Sequence, residues 1–466
     1  MNDQDSVLNR RAFLRQACCA AVGTTGIVSA LSQLKLIGAS SADAGSIRRA
    51  AADADYKALV CLFLNGGNDG SNVVMPYDQT SYTRYATARG TLAIPRTDVL
   101  PLTTRRYADG RTYGMNRDVA GIKALYDQGK IALLANVGTL VRPTTLADYR
   151  TGIALPLQLY SHVDQSTQWQ SSLPDQPIFQ TGWGGRLADL TNAANANGRF
   201  SMSISMGGKN YFQVGNTVIP YSVGSYYAEL IAGSYYNGLI RERYDALKRM
   251  LGNKSQNLLG AAFADETKFA IDDGEYLSDA LGRAPTLRTS FPNNNTAIRL
   301  QTVARLISMA ADMGLKRQVF FVDIDGYDNH TAQAAAHSLL LKELSGAMAA
   351  FYESTVELGV ANQVTTFTAS DFGRTYNPNA DGTDHAWGNL QWVMGGAVAG
   401  GDIYGTMPSL ELGANDDTGR GRWIPTTSVD EYNATLARWF GVSDANMPVV
   451  LPNIGRFAKK DLGFMT

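Results

Sequence analysis

Val364 to Asn389 reads VTTFTASDFGRTYNPNADGTDHAWGN, and its two ends do different work. Val364-Thr365-Thr366-Phe367-Thr368 is an apolar, β-branched run of the kind that forms a buried strand. It opens into Ser370-Asp371-Phe372-Gly373-Arg374, then a polar loop, then Asp384-His385 beside Trp387. An acid, an arginine, a second acid and a histidine therefore follow one strand closely. In an open α/β sheet, binding groups gather beyond the carboxyl ends of the strands.

Other stretches share this plan. Lys57-Ala-Leu-Val-Cys-Leu-Phe-Leu64 is a continuous apolar run that opens into Asn65-Gly66-Gly67-Asn68-Asp69-Gly70. Gln318-Val-Phe-Phe-Val-Asp-Ile-Asp325 opens into Gly326-Tyr327-Asp328-Asn329-His330. Lys130 to Gly138 is a further strand, and Ser201 to Met206 alternates as a strand should. Runs this apolar suit a sheet buried on both faces. Helical patterns lie between them, at Ala120–Tyr126, from Trp183, at Ile298–Met313, Leu339–Leu358 and Ser428–Phe440. Residues 78–118 read as loop with a short helix, and residues 222–290 as a helical insertion. The alternation predicts a three-layer αβα fold around a mostly parallel sheet, one domain over residues 45–466.

The chemistry sits in the strand-end loops. Asp69 is at the first strand tip, where it reads equally as a ligand or as a turn residue of N-D-G. Asp328 and His330, two apart on a loop, can face one cation, and both are ordinary ligands for zinc or a similar ion. In Leu159-Tyr-Ser-His-Val-Asp-Gln-Ser-Thr-Gln-Trp169, Ser161 reads as the N-cap of a helix with Asp164 three residues on, resembling a capping box. A helix start bearing a hydroxyl and an imidazole also suits an anion. Only four histidines occur, His162, His330, His337 and His385. Three of them fall in these stretches. His337, on a following helix, reads as solvated or as standing behind a ligand.

The whole chain sets wide limits. It has 466 residues, 45% of them hydrophobic, enough for a large core. Its formal net charge is −1 with no basic run, which argues against a nucleic-acid surface. Cys18 and Cys19 lie in the leader, so Cys61, inside an apolar strand, is left as a buried hydrophobe without a disulfide partner.

Residues 1–44 read as a twin-arginine export signal. Arg10-Arg11 precede a weakly apolar run, and Ala42-Asp43-Ala44 offers the small residues of a cleavage site. The run contains Gly, Thr and Ser, where a membrane span needs about 20 apolar residues. The expected partner of this leader is the twin-arginine translocase, and the expected location is periplasmic or secreted.

Taken together, LFLNGGNDGSN, YSHVDQSTQW, DIDGYDNH, TASDFGRTYNPN and GTDHAWGNLQWVMGGAVAGG, with GVSDANMPVVLPNIGRF near the end, resemble a bacterial family of twin-arginine-exported proteins, domain of unknown function 1501. The resemblance runs from about residue 55 to 460, and the family is similar to a remote branch of the alkaline phosphatase and sulfatase superfamily. It implies an alkaline-phosphatase-like domain. Asp69 then resembles the first metal aspartate, Asp328 and His330 the metal pair, and His385 the late metal histidine. Ser161 or His162 falls at the nucleophile position. Ser370-Asp371-Phe372-Gly373 is similar to an S-D-H-G motif, with Phe372 where a ligand histidine stands and Asp371 kept.

The expectation is an exported hydrolase of a phosphate or sulfate ester, on a small-molecule or glycan substrate. It would use a divalent metal ion (zinc, manganese, magnesium or calcium) held by some of Asp69, Asp328, His330, Asp371 and His385. Ser161, His162 or a polarised water would attack, and the planar fork of Arg374 would hold an ester oxygen. The alternative is a non-catalytic exported binding or assembly protein with a degenerate metal site. A complete acid–histidine cluster favours the enzyme, and a cleft filled by Phe372, Tyr327 and Trp387 favours the alternative. Replacing Arg10 and Arg11 with lysine is expected to abolish periplasmic accumulation of mature protein on cell fractionation. An unchanged yield would overturn the export assignment.

Overall fold

The computed structural model describes residues 55–177, 180–196, 200–224, 234, 237–253 and 256–466. The leader, residues 1–44, lies outside them. Two compact units result, one of residues 47–229 with 277–466 and another that includes 230–276.

In the larger unit, β1 (Lys57–Leu64), β5 (Ile131–Gly138), β6 (Ser203–Ser205), β7 (Tyr221–Ser222), β8 (Arg317–Ile324), β9 (Val364–Ser370), β10 (Asn389–Gly395), β11 (Asp402–Gly405) and β12 (Thr427–Ser428) form one sheet. The order is β11-β5-β10-β9-β1-β8-β6-β7, with β12 also on β5. Every pairing is parallel except those of β10, which runs against both β5 and β9. β5 and β9 are buried at every position, as unbroken apolar or β-branched runs in a covered sheet should be.

Helices cover both faces, and one antiparallel pair assigns them. Val393 faces Phe367 across β10 and β9, so Val393 and Phe367 share a side and Trp392 points to the other. On the Phe367 side lie Trp183 of α5 (Trp183–Thr191) and Tyr432 of α10 (Val429–Phe440), with ring centroids 5.6 and 6.0 Å from Phe367. On the Trp392 side lies α9 (Gln333–Glu357), whose Met348 sulfur accepts the Trp392 indole N–H at 3.2 Å. α9 is rich in Ala and Leu, strong helix formers, which suits its 25 residues. α8 (Asn295–Ser308) and α2 (Ala120–Asp127) pack beside it. This is the expected three-layer αβα arrangement.

Residues 78–118, expected as loop with a short helix, carry more order than that. α1 (Gln79–Arg89) is followed by β3 (Val99–Pro101) and β4 (Tyr113–Asn116), which join β2 (Val74–Pro76), just before α1, in a small antiparallel sheet of order β2-β4-β3. Strands of three or four residues are too short to show a period of two. In the second unit, Tyr244 and Leu251 of α6 (Leu239–Leu251) pack on Ile271 of α7 (Leu258–Arg283).

The register decides what the sheet presents. Leu64 pairs level with Ile324 on one side and with Ser370 on the other. The loops beginning at Asn65, Asp325 and Asp371 therefore leave the sheet at one edge. β10, running the other way, starts from that same edge just after His385-Ala386-Trp387-Gly388.

Elsewhere the fold rests on local caps. At the start of α10 the Glu431 N–H donates to Ser428 Oγ at 3.0 Å while the Ser428 N–H donates to Glu431 Oε2 at 3.0 Å, a reciprocal box. Ser428→Ala is expected to lower the free energy of unfolding by about 1–2 kcal/mol, read from denaturant midpoints, because it strands a buried N–H. A change under a few tenths would show that this cap contributes nothing.

Candidate metal centre

Four side chains meet at the common edge. His162 opens α4 (His162–Ser171), Asp328 and His330 sit on the loop after β8, and His385 lies on the ribbon before β10. His385 Nε2 is 3.0 Å from His162 Nε2 and 3.0 Å from His330 Nε2. Asp328 Oδ1 is 3.0 Å from His330 Nε2 and 3.4 Å from His385 Nε2, and Asp328 Oδ2 is 3.4 Å from His162 Nε2. His162, Asp328 and His385 each bring one donor atom within 4.8 Å of the others.

The far side of each imidazole settles which nitrogen carries hydrogen. His162 Nδ1 is 2.6 Å from Asp371 Oδ2, His330 Nδ1 is 3.2 Å from Asp384 Oδ1, and His385 Nδ1 is 2.7 Å from the Tyr160 carbonyl oxygen. All three partners are oxygen acceptors when the acids are ionised, so each neutral ring holds its proton on Nδ1. The His385 Nε2 lone pair then meets those of His162 and His330, and all three rings approach the Asp328 carboxylate, His162 at Oδ2 and the other two at Oδ1. A single added proton relieves one of these pairs only, whereas a bound cation serves all its donors together. A tetrahedral ion with bonds of about 2.0–2.1 Å sets its donors about 3.3 Å apart. The spacings among His162, His385 and Asp328, 3.0–3.4 Å, are near this value, while His330 stands outside that mutually close group of three. Carboxylate or carbonyl groups behind ligand imidazoles are the usual means of fixing their tautomer and orientation.

Electrostatics follow from the same contacts. The Asp371 hydrogen bond raises the His162 pKa above its ordinary 6.5, against the effect of burial. Burial, with the neighbouring His162 charge, lowers that of His385 despite the Tyr160 carbonyl. Burial works against ionisation of Asp328, but the hydrogen bond and charge of Arg374 outweigh it and hold the carboxyl below its ordinary value.

Backbone geometry makes the convergence possible. A Cβ on Gly66, at φ 107°, would lie 2.3 Å from the Asp328 backbone nitrogen. One on Gly67 would lie 2.7 Å from the Phe372 ring. Only glycine allows so close an approach. Tyr160, at φ 72°, is a left-handed residue with a full side chain. It turns its carbonyl to His385, while its N–H donates to Gln165 Oε1 at 2.7 Å.

The expected residues take different places. Asp328, His330 and His385 come together, and His162 joins them through its ring. Asp371 stands behind His162, accepting the Gly66 N–H at 3.3 Å as well. Asp69 is set apart, paired with buried Arg89 and accepting from Gln333 Nε2 at 2.5 Å. Ser161 caps α4, but its hydroxyl donates to Asp164 Oδ2 at 2.5 Å, so the reciprocal half of the expected capping box is absent. Arg374, expected to reach a substrate, is buried instead. Its guanidinium donates to Gly66 O at 3.0 Å, Asp328 Oδ1 at 2.7 Å and both oxygens of Thr383. It thus positions Asp328. His337 is buried rather than solvated, bonded to Asn68 Oδ1 at 2.9 Å. Sequence reasoning passed over Tyr160, Arg420 and Arg422. Arg420 pairs with Asp384, and Arg422 Nε donates to the His385 carbonyl at 2.8 Å.

Asp69 is expected to act through its ion pair. Arg89→Met should cost about 3–5 kcal/mol by leaving a buried charge unpaired, and adding Asp69→Asn should recover much of it. Loss of bound metal from Asp69→Asn alone would contradict that assignment.

No curated protein matches the chain. Among solved structures it is similar to the PsFucS1 sulfatase from Pseudoalteromonas sp., at 11% identity and TM-score 0.36 over 84% of this chain and 68% of that one. It is also similar to the C-terminal periplasmic domain of EcEptC from Escherichia coli in complex with Zn, at 10% identity and TM-score 0.34 over 86% and 88%. A third likeness is to the lipoteichoic acid synthase LtaP from Listeria monocytogenes, at 6% identity and TM-score 0.34 over 86% and 76%. Likeness this distant carries no argument about chemistry. In sequence, the stretch 287–447, which holds Asp328, His330, Asp371, Arg374 and His385, matches the family described as "Protein of unknown function (DUF1501)".

Proposed function

We propose that the protein is an exported, metal-dependent hydrolase of a phosphate or sulfate ester. The observation that carries this is the convergence of three Nε2 atoms on the Asp328 carboxylate, each ring held by an acceptor at Nδ1. His162, Asp328 and His385 would hold the ion, with His330 beside them. Nitrogen donors with one carboxylate suit zinc or manganese better than magnesium or calcium, which prefer oxygen. Such an ion supplies polarisation of an ester oxygen and a water acidic enough to attack near neutral pH.

The chain's own groups define the rest. Asp371 keeps the His162 proton on Nδ1, and the Tyr160 carbonyl does the same for His385. Arg374 keeps Asp328 ionised and aimed. With Ser161 engaged by Asp164, water is the attacking group in this reading. Water adds to the phosphorus or sulfur, the ester oxygen leaves with a proton, and an alcohol and an inorganic oxyanion result. The aromatic residues support an open site. Phe372 packs behind His162 and His385, with centroids 4.8 and 4.7 Å away, while the side chains of His162, His330, His385 and Asp328 stay 31%, 43%, 25% and 44% exposed.

Metal analysis of the purified chain and assay on nitrophenyl phosphate and nitrophenyl sulfate test the proposal together. His385→Gln is expected to lose both metal and hydrolysis, and a folded variant keeping both would sink it. Proton competition gives a second test. The ligand with the raised pKa takes a proton first as pH falls, so zinc affinity should begin to drop above pH 6.5, through His162. Asp371→Asn removes the charge that raises that pKa and should move the onset to lower pH.

A further inference from the structure

The arginines around the centre are not equivalent. Arg89 is spent on Asp69, Arg374 on Asp328 and Thr383, and Arg420 on Asp384. Arg422 donates its Nε–H to the His385 carbonyl at 2.8 Å, and its two Nη groups have no acceptor among the described residues. No carboxylate among those residues lies within ion-pair distance of it. Neither Nη group is buried without a partner, so the free end of the half-buried guanidinium faces solvent.

The residue is nevertheless held firmly. Its carbon Cζ lies 5.1 Å from the centre of the Tyr160 ring, a cation–π contact. The Tyr160 hydroxyl is in turn tied to Tyr149 and to Thr418 Oγ1, each at 3.1 Å. Its loop is pinned by Asp417, whose Oδ1 accepts the N–H groups of Gly419, Gly421 and Arg422 at 2.7, 2.8 and 3.2 Å. Tyr160, His385 and Arg422 thus form a closed triangle. The Tyr160 carbonyl holds the imidazole, Arg422 holds the His385 backbone, and the Tyr160 ring supports Arg422. Such ordering leaves the Nη fork free but placed beside a donor residue of the centre.

We propose that Arg422 is the oxyanion-binding residue of this site, and that its ligand is the phosphoryl or sulfuryl group of an ester or the inorganic anion released from it. The planar fork presents parallel N–H groups to two oxygens of such a group. This rests on the hydrolase reading for its substrate class, and it gives Arg422 the role expected of Arg374 from the sequence.

The test is calorimetric titration of the full chain, zinc-loaded and metal-free, with inorganic phosphate, inorganic sulfate and phenyl phosphate. The parent is expected to bind at least one of these. Arg422→Gln, compared with the parent as folded protein at matched zinc content, should weaken that binding tenfold or more. Arg422→Lys, which restores charge without the fork, should recover it only in part. Preference for phenyl phosphate over inorganic phosphate would identify the ester as ligand, and the reverse order the released anion. Arg422-dependent binding to a chain that takes up no zinc would uphold this proposal while ending the metal reading. Equal affinity of parent and folded Arg422→Gln, or no anion binding by the folded parent in either state, would overturn it.

Discussion

The parallel register that sets Leu64 level with Ile324 and Ser370 is the constraint on which the centre depends. A shift by one residue on any of these strands would send alternate side chains to the opposite face and move its loop along the edge by about 3.3 Å. Donors that must agree to within tenths of an ångström would not survive that. The register is itself fixed by burial. β9 has no exposed position, so each of its side chains has one acceptable place. The precision of the site is thus inherited from the packing of a sheet that takes no part in its chemistry.

Charge is arranged around the centre in pairs. Arg374 offsets Asp328, Arg420 offsets Asp384, and Arg89 offsets the more distant Asp69. Beside these pairs stand the Asp371 carboxylate behind His162 and the Arg422 guanidinium near His385. The residual negative charge sits behind converging imidazoles, where it favours a cation. The positive charge of Arg422 sits on a fork with no acceptor among the described residues. A site so divided would suit a cation and an anion in neighbouring places, the arrangement that the proposed hydrolysis of a charged ester needs.

What the sequence made legible was local. The strand runs ending at Leu64, Ile324 and Ser370 could be read because apolar β-branched periodicity is a short-range signal. The Ser161 cap could be read because a cap is written within four residues. Asp328, His330 and His385 could be selected because histidine is scarce and each follows a strand. Pairings across the chain were not legible. Asp69 displays a carboxylate at a strand tip, but nothing in its neighbourhood says that Arg89 will neutralise it. Arg374 follows the strand as an oxyanion-binding residue would, yet burial beside Gly66 and Thr383 consumes its donors. Tyr160 acts through its backbone carbonyl, and a carbonyl leaves no mark on residue type. Gly419-Arg420-Gly421-Arg422 did carry a signal, two arginines separated by glycine, but its meaning depends on Asp417 and Asp384.

Phe372 packs against two of the donor rings. Its ring lies nearly parallel to that of His385, at 28°, and also meets His162, so one apolar plate sets the planes of two imidazoles. A polar residue there would compete for their hydrogens or add a donor from behind, and either would divide the convergence into two weaker sets. Phenylalanine does neither, since it has no donor or acceptor of hydrogen-bonding strength. The close passage of Gly67 across the same ring seals that side against water. Phe372 therefore leaves the donor atoms of His162 and His385 free to meet at this edge. His330 and Asp328 stay 43% and 44% exposed, so the proposed centre is open to solvent and to a ligand.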